Sequence, residues 1–263
     1  MRKSYQFFAT LLLLVGILAG CGSPESTSDR ETPKEVTLTV SAAASLQDAL
    51  EELQKTYEKE HPTTKITYNF GGSGALQQQI SQGAPVDLFF SAAKDKFDAL
   101  VKEGIINQNQ GTNLLANELV LVVPKDNEKQ ILSFEDLTKA NKIAIGTPET
   151  VPAGQYGVES LQNMKLWDAV QSKVVYTKDV RQVLTYTETE NVDAGIVYKT
   201  DALLSDQVDI IASANTNTHT PIIYPVGVIK DSKHLQEAEG FYHFLKSDEA
   251  MQVFEQYGFQ GAN

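Results

Sequence analysis

Two serines in this sequence stand in turns that could bind an anion. Ser45 follows an alternating apolar run that begins at Val36, and apolar residues at helical spacing come after it. The pattern predicts a strand, a tight turn and a helix with Ser45 as its N-cap. Ser73 lies in a Gly-Gly-Ser-Gly turn at residues 71–74, between a predicted strand and a predicted helix start. Because the first N–H groups of a helix lack partners and carry partial positive charge, both turns could hold an oxyanion without a lysine or an arginine.

Three later segments offer further hydrogen-bond donors. The segments at residues 151–154 (Val-Pro-Ala-Gly) and 179–181 (Asp-Val-Arg) each lie at a predicted helix start, and Tyr198 ends a predicted strand with a phenolic O–H on a rigid ring. Small residues beside such donors leave room for a ligand to approach the backbone. Taken singly, each segment is explained as an ordinary helix cap, a loop or a core tyrosine. The hypothesis is that all five segments face one cleft.

The elements that must position these donors alternate along the chain. After the first strand, further strands are predicted at residues 65–70, 86–91, 118–123, 142–146, 173–176, 194–198, 208–212 and 220–229. Helical patterns lie between most of them, which predicts an α/β fold with mostly parallel sheets and helices on both faces. Ligands in such folds bind at the C-terminal ends of the strands.

Two long apolar strands divide the chain into lobes. The strands at residues 118–123 and 220–229 are predicted to cross between the lobes and to act as hinges. The first lobe would comprise residues 36–117 plus 226–263, and the second lobe residues 118–225. A ligand cleft would lie between them.

The N-terminal residues predict a lipoprotein signal peptide at residues 1–20. Arg2 and Lys3 precede an apolar run, and Leu-Ala-Gly precedes Cys21, the single cysteine of the chain. A membrane-spanning helix is the alternative, but the run is shorter than the ~20 residues that a bilayer requires. We expect lipid on Cys21, an extracytoplasmic chain anchored to the cell membrane, and a flexible tether at residues 21–35, which holds hardly an apolar side chain.

The net charge of the chain limits the classes of binding partner that we expect. The formal net charge is −12, and loss of Arg2 and Lys3 with the signal peptide makes it −14. A chain this acidic is not expected to bind nucleic acid or an anionic membrane surface. An anionic ligand would have to be captured locally, by N–H and O–H dipoles aimed at it.

In the order and residue types of these motifs, the sequence resembles the molybdate-binding proteins of bacterial ABC importers. The resemblance covers nearly the whole chain beyond the tether. The stretches that carry the resemblance are residues 42–46 (Ala-Ala-Ala-Ser-Leu), 83–92, 151–156 (Val-Pro-Ala-Gly-Gln-Tyr), 179–181 (Asp-Val-Arg), 195–198 (Gly-Ile-Val-Tyr), 224–226 (Tyr-Pro-Val) and 257–259 (Tyr-Gly-Phe).

The resemblance implies a type II periplasmic-binding-protein fold, with two doubly wound α/β lobes joined by crossing strands. It implies a monomer that holds molybdate or tungstate between the lobes and delivers the ion to a membrane permease. Molybdenum would be bound only as the oxyanion, and no cofactor is expected. Matched motif by motif, the ligand-binding residues are Ser45, Ser73, Ala153, Val180 and Tyr198.

A site of this composition would select ions by their protonation. A fully deprotonated tetrahedral dianion has four acceptor oxygens, so a site of donors alone accepts it and rejects protonated phosphate. Sulfate has the same charge and shape but is smaller, so we expect cavity size to discriminate against it. Tungstate is nearly the size of molybdate, and we expect no discrimination between the two.

Arg181 is predicted to form a salt bridge at the surface or between the lobes. A guanidinium on the ligand would replace selection by dipoles with selection by charge. The four histidines, His61, His219, His234 and His243, lack the spacing of metal ligands.

An enzyme with Ser45 or Ser73 as nucleophile is the alternative from another class. The Gly72-Ser73-Gly74 turn lacks the Gly-x-Ser-x-Gly elbow, and no histidine lies near a comparable strand end. We therefore predict no enzymatic activity. A binding protein for sulfate, thiosulfate or an organic anion is a nearer alternative, and the sequence leaves it open.

Overall fold

Strands that are followed by amphipathic helices make up residues 35–262, the part of the chain that the structure, a computed structural model, describes. The predicted signal peptide, Cys21 and the predicted tether up to residue 34 lie outside the described residues. The strands, in chain order, are β1 (Val36–Ala43), β2 (Thr64–Gly71), β3 (Leu88–Phe90), β4 (Ile106–Ala116), β5 (Leu119–Pro124), β6 (Ile143–Gly146), β7 (Val174–Thr177), β8 (Ala194–Tyr198), β9 (Val208–Ser213), β10 (Ile223–Ile229) and β11 (Gln260–Gly261).

The helices bury one apolar face each, as their sequence periodicity predicts. In the first of them, Leu50, Leu53 and Tyr57 are buried at helical spacing. In chain order the helices are α1 (Gln47–Glu60), α2 (Ser73–Ser81), α3 (Lys94–Lys102), α4 (Pro152–Asn163), α5 (Trp167–Val170), α6 (Val180–Glu188), α7 (Lys199–Ala202), α8 (Leu235–Leu245) and α9 (Asp248–Gln256). Within the described range, none of them is long and apolar enough to cross a membrane.

The strands form two separate sheets. The first sheet has six strands in the order β11-β4-β10-β3-β1-β2, and the second has five in the order β7-β6-β8-β5-β9. We call the elements around the first sheet the first lobe and those around the second sheet the second lobe. The α/β class and the two-sheet architecture agree with the prediction.

The prediction of mostly parallel sheets is wrong, because each sheet is mixed. In the first sheet β1 pairs in parallel with β2 and β3, whereas β10 is antiparallel to β3 and β4. In the second sheet β6 pairs in parallel with β7 and β8, whereas β5 is antiparallel to β8 and β9. Each sheet therefore has a parallel part and an antiparallel part.

The antiparallel parts arise from the two connections between the lobes. The chain leaves the first sheet after Ala116 and enters the second at Leu119, and it returns between Ser213 and Ile223. The outgoing and returning segments lie side by side, since the Asn117 N–H bonds to the Ile222 carbonyl and the Ala214 N–H to the Leu119 carbonyl. Neighbouring segments that run in opposite directions must pair in antiparallel fashion. The crossings therefore lie beside the strands predicted as hinges, and hinge motion itself stays a prediction.

Candidate functional site

The five residues predicted to bind a ligand line one small cavity between the lobes. Its volume is about 10 Å³, close to the minimum that one water molecule requires. The cavity is lined entirely by uncharged residues, which are Ala43, Ala44, Ser45, Gly71, Gly72, Ser73, Ala92, Val151, Pro152, Ala153, Val180 and Tyr198. This space suits a single small ion.

The parallel parts of the two sheets build the cavity. The carboxyl ends of β1, β2 and β3 lead to Ser45, Ser73 and Ala92 in the first lobe. The carboxyl ends of β6 and β7 lead to the first turns of α4 and α6 in the second lobe, and β8 ends on Tyr198. Ligands of α/β sheets bind at this edge, because helix starts and small turn residues gather there.

Ser45 is buried beside the cavity, but it is not the N-cap of α1. A short 3₁₀ turn, Ala44–Leu46, precedes that helix, and the helix has no side-chain cap. The predicted cap is therefore wrong: the Ser45 hydroxyl lies 2.9 Å from the hydroxyl of Tyr224, a buried residue of β10. Packing against a distant strand determines its orientation instead of a local capping bond.

Ser73 is the first residue of α2 and is fully buried. Its Oγ accepts a hydrogen bond of 2.9 Å from the backbone N–H of Ala92. A serine hydroxyl has one proton, so an oxygen that accepts here keeps that proton for another partner. Ser73 can therefore donate into the cavity.

Ala153 and Val180 offer backbone N–H groups at helix starts. The N–H groups of Gly154 and Gln155 bond to the Val151 carbonyl, and Pro152 has no N–H. Ala153 is thus the first residue of α4 with a backbone N–H, and this N–H makes no hydrogen bond within the described residues. Val180 is the first residue of α6, where an N–H has no partner within the helix. Both N–H groups are fixed in direction by their helices.

Tyr198 brings a buried hydroxyl without a hydrogen-bond partner among the described residues. The residue is 1% exposed. Burial and the neighbouring Tyr224 raise the pKa of Tyr198 well above its ordinary value, so the phenol keeps its proton. An unsatisfied buried hydroxyl costs about 1–3 kcal/mol, and an ion in the cavity would remove that cost.

Arg181 follows Val180 but does not line the cavity. Its guanidinium contacts Asp48 of α1 in the first lobe, and its Nε lies 2.8 Å from Oδ1 of Asp201 in α7 of the second lobe. This confirms the predicted salt bridge between the lobes. Burial raises the pKa of Asp201 to about 7, although Arg181 acts in the opposite direction.

Two glycines let the lobes approach closely. The Gly74 N–H donates to the Thr150 carbonyl of the second lobe at 2.9 Å. A Cβ on Gly72 would lie 2.5 Å from the same carbonyl oxygen. The first-lobe turn and the loop before α4 are therefore in backbone contact beside the cavity.

The sequence prediction missed the residues behind the cavity wall. Tyr224 and Asn117 form hydrogen bonds that reach Ser45, and neither was assigned a function. A signal was present for Tyr224, which belongs to the Tyr-Pro-Val stretch that carries the family resemblance. Asn117 had no such signal.

Two lobes that enclose a small cavity of hydrogen-bond donors define a solute-binding protein. Residues 38–260 match the family described as bacterial extracellular solute-binding protein, and the chain belongs to that family. Its fold is that of the type II periplasmic binding proteins. The family binds solutes, which confirms the prediction that the chain is not an enzyme.

Relatives support this assignment. A chain of Bacillus subtilis (strain 168), named as a candidate ABC transporter substrate-binding lipoprotein, is 58% identical over 98% of this chain and 99% of its own length. A molybdate-binding protein of Haemophilus influenzae is 36% identical over 84% of this chain and 89% of its own. The solved substrate-binding domain of a candidate molybdenum ABC transporter from Clostridium difficile is 39% identical, with a TM-score of 0.67 over 87% of this chain and 100% of that domain. The resemblance to molybdate-binding proteins is thereby confirmed.

Proposed function

We propose that this chain captures molybdate, and tungstate equally, between its lobes and delivers the ion to an ABC permease. One observation supports the proposal: Ser45, Ser73, Ala153, Val180 and Tyr198 all line one cavity, and no charged residue of the described chain lines it. Two of these residues come from the first lobe and three from the second. An ion held by both lobes would keep them closed, and the closed form is the one that we expect a permease to recognise.

The chemistry of the cavity favours a fully deprotonated dianion. Hydrogen bonds from N–H and O–H groups to an ion are stronger than those between neutral groups. Among residues 35–262 no carboxylate lines the cavity, so a protonated phosphate would find no anionic acceptor there for its proton. The negative net charge of the chain adds no general attraction for anions, which leaves selection to the local dipoles.

The size of the cavity would distinguish between dianions of the same charge. Sulfate is smaller than molybdate, and donors held by backbone and buried side chains cannot follow it inward. Molybdate and tungstate have nearly the same size, so both should bind with similar affinity. The names of the Haemophilus influenzae relative and of the Clostridium difficile domain support the choice of molybdate.

Titration calorimetry of the purified chain with molybdate, tungstate, sulfate and thiosulfate tests the proposal. Molybdate and tungstate should bind tightly, and sulfate and thiosulfate at least a hundredfold more weakly. Melting curves provide a second measurement, since an ion at 100 times its Kd stabilises the folded chain by about 2.7 kcal/mol. Tight binding of sulfate or thiosulfate without binding of molybdate would contradict the proposal and favour the alternative ligand.

We also propose that lipid on Cys21 anchors the chain outside the cytoplasm. The Leu-Ala-Gly-Cys sequence supports this, and the Bacillus subtilis relative is named a lipoprotein. Replacement of Cys21 by serine should move the chain from the membrane fraction to the soluble extracytoplasmic fraction. A Cys21→Ser chain that stays with the membrane would contradict the anchor. The proposal includes a monomer and requires no cofactor.

A further inference from the structure

We infer that Tyr224 and Asn117 are positioning residues, which orient the hydroxyl proton of Ser45 into the cavity. The inference rests on the proposed function, because it assigns a direction to one of the proposed donors. It depends on a chain of three hydrogen bonds whose direction can be followed from one end to the other.

The donor-to-acceptor direction of these hydrogen bonds is determined first at the side-chain amide of Asn117. Its Oδ1 accepts a hydrogen bond of 2.8 Å from the backbone N–H of Glu118, which determines which end of the amide is the oxygen. The Nδ2 group then donates both its protons, one to Oγ1 of Thr200 at 2.9 Å and one to the hydroxyl of Tyr224 at 3.1 Å. An amide nitrogen cannot accept a hydrogen bond, so the Tyr224 oxygen must be the acceptor.

Tyr224 forms the last hydrogen bond of the series, to Ser45. Burial and the nearby Asp201 raise the pKa of Tyr224 well above its ordinary value, so the phenol keeps its proton. Tyr224 is fully buried, and Ser45 Oγ lies 2.9 Å from its hydroxyl. A phenol oxygen can accept two hydrogen bonds, but if Ser45 also donated to it, the Tyr224 proton would have no acceptor among the described residues. We therefore assign that proton to Ser45 Oγ. Ser45 is then an acceptor toward Tyr224, and its proton is left for the cavity that it lines.

The hydrogen bonds of Asn117 also link the two lobes. Asn117 sits at the outgoing crossing between the sheets and contacts Thr200 of the second lobe as well as Tyr224 of the first. Successive hydrogen bonds polarise one another, so the Ser45 proton becomes a better donor than that of an isolated serine. Without Tyr224 the Ser45 hydroxyl would be free to rotate, and an ion would have to order it on binding.

A double-mutant cycle between Tyr224 and Ser45 tests the inference. Tyr224→Phe keeps the ring and removes the hydroxyl, and we expect it to weaken molybdate binding about fivefold to tenfold. In a Ser45→Ala background the same substitution should change the Kd by less than a factor of two, because no Ser45 proton remains to be oriented. A merely structural effect of Tyr224→Phe would weaken binding equally in both backgrounds.

Two further variants complete the test. Tyr257→Phe removes a tyrosine hydroxyl that contacts Glu52 away from the cavity, and it should leave the Kd unchanged. Asn117→Ala is the second probe if Tyr224→Phe fails to fold; it should weaken binding about threefold, and this loss should also vanish in the Ser45→Ala background. Equal losses in both backgrounds, or no loss at all, would overturn the inference.

The outcome is separable from that of the proposed function. If the wild-type chain binds sulfate or thiosulfate in place of molybdate, the proposed function fails, and the cycle is measured with the ion that binds. If the wild-type chain binds molybdate and the cycle shows no coupling, only the positioning role fails. A wild-type chain that binds none of the four ions overturns both.

Discussion

The two halves of the cavity present their donors in different ways. Of the proposed donors, the first lobe holds the side-chain hydroxyls of Ser45 and Ser73, and each hydroxyl oxygen has a hydrogen-bond partner in the same lobe. The second lobe contributes the backbone N–H groups of Ala153 and Val180 at helix starts. It also contributes Tyr198, whose hydroxyl has no hydrogen-bond partner in the described chain.

This difference shows two ways to prepare a donor for an ion. A backbone N–H at a helix start needs no further support, because the helix determines its direction. A serine hydroxyl rotates, so it needs a neighbour that occupies one of its lone pairs and thereby orients the proton. The Ala92 N–H does this for Ser73, and by our inference Tyr224 does it for Ser45. The first lobe therefore depends on the partners of its two serines. The second lobe depends on its helices for two of its donors, and the Tyr198 hydroxyl has no partner among the described residues.

The largest loss of molybdate affinity is expected when each half of the cavity loses a hydroxyl. A hydrogen bond to a charged group contributes about 1.5–3 kcal/mol, so Ser45→Ala combined with Tyr198→Phe should weaken molybdate binding by at least ~100-fold. Calorimetry of the double variant and of both single variants checks this. Unchanged molybdate affinity in the double variant would reject the site. Tyr198→Phe alone should not lower the melting temperature of the ion-free chain, because it removes a hydroxyl that has no partner.

The next largest loss of affinity is expected when a backbone donor is removed, which tests the second-lobe half of the cavity alone. Val180 is the first residue of α6 and the preceding Asp179 is extended, with φ −157° and ψ 171°. Proline is favoured at such a position and lacks the N–H, so Val180→Pro should keep the helix and weaken binding by about 10- to 100-fold. Val180→Ala retains the N–H and measures the loss of the side chain. Equal affinities of the two variants would show that the N–H does not contact the ion.

Closure of the halves is tested at Gly72. Its φ of −69° and ψ of 130° suit alanine, so the added Cβ conflicts only with its surroundings, above all the Thr150 carbonyl of the second lobe. We expect Gly72→Ala to weaken binding about tenfold, because an overpacked contact costs about 1–3 kcal/mol. Gly261→Ala is the control, since its Cβ would be in ordinary contact with Met251 at 3.6 Å. If both variants bind molybdate like the wild type, the glycine contact is not needed for binding.

The smallest effect is expected at the salt bridge between the halves. Asp48→Asn removes the first-lobe partner of Arg181, but the Asp48 side chain is 41% exposed. An exposed ion pair contributes up to about 1 kcal/mol, or fivefold in affinity, and the loss should shrink in high salt. Asp209→Asn is the control, because its partner Lys125 belongs to the same lobe. A loss that does not change with salt would contradict an electrostatic role for Asp48.

The sequence brings the five proposed ligand residues to one cavity, but it predicts the sheets less well. Each proposed donor lies in a strand, a turn and a helix start that are contiguous along the chain, so short-range patterns indicate the segments, and the family resemblance names the residues within them. Strand β4 was not predicted, because only Ile106 and Leu115 of it are buried and its middle is polar. The antiparallel pairing was missed because it depends on where the chain crosses between the lobes.

The partners of Ser45 show why the remainder could not be predicted. Ser45 and Tyr224 lie 179 positions apart, and no local pattern indicates that their hydroxyls meet. The N-cap was a reasonable prediction for a serine before a helix, but the 3₁₀ turn moves the helix start to Gln47. Contacts of this range follow only from the strand order of the finished sheet.

The double crossing between the sheets has a consequence for the order of folding. The proposed donors extend from Ser45 to Tyr198, and the return segment that carries Tyr224 comes later still. The ion can therefore contact all of the proposed donors only after both sheets and both connections have formed. We expect this stage to follow the transition state for folding. Interactions formed after the transition state slow unfolding and leave the folding rate unchanged. Molybdate should accordingly lengthen the lifetime of the native chain without helping it to fold.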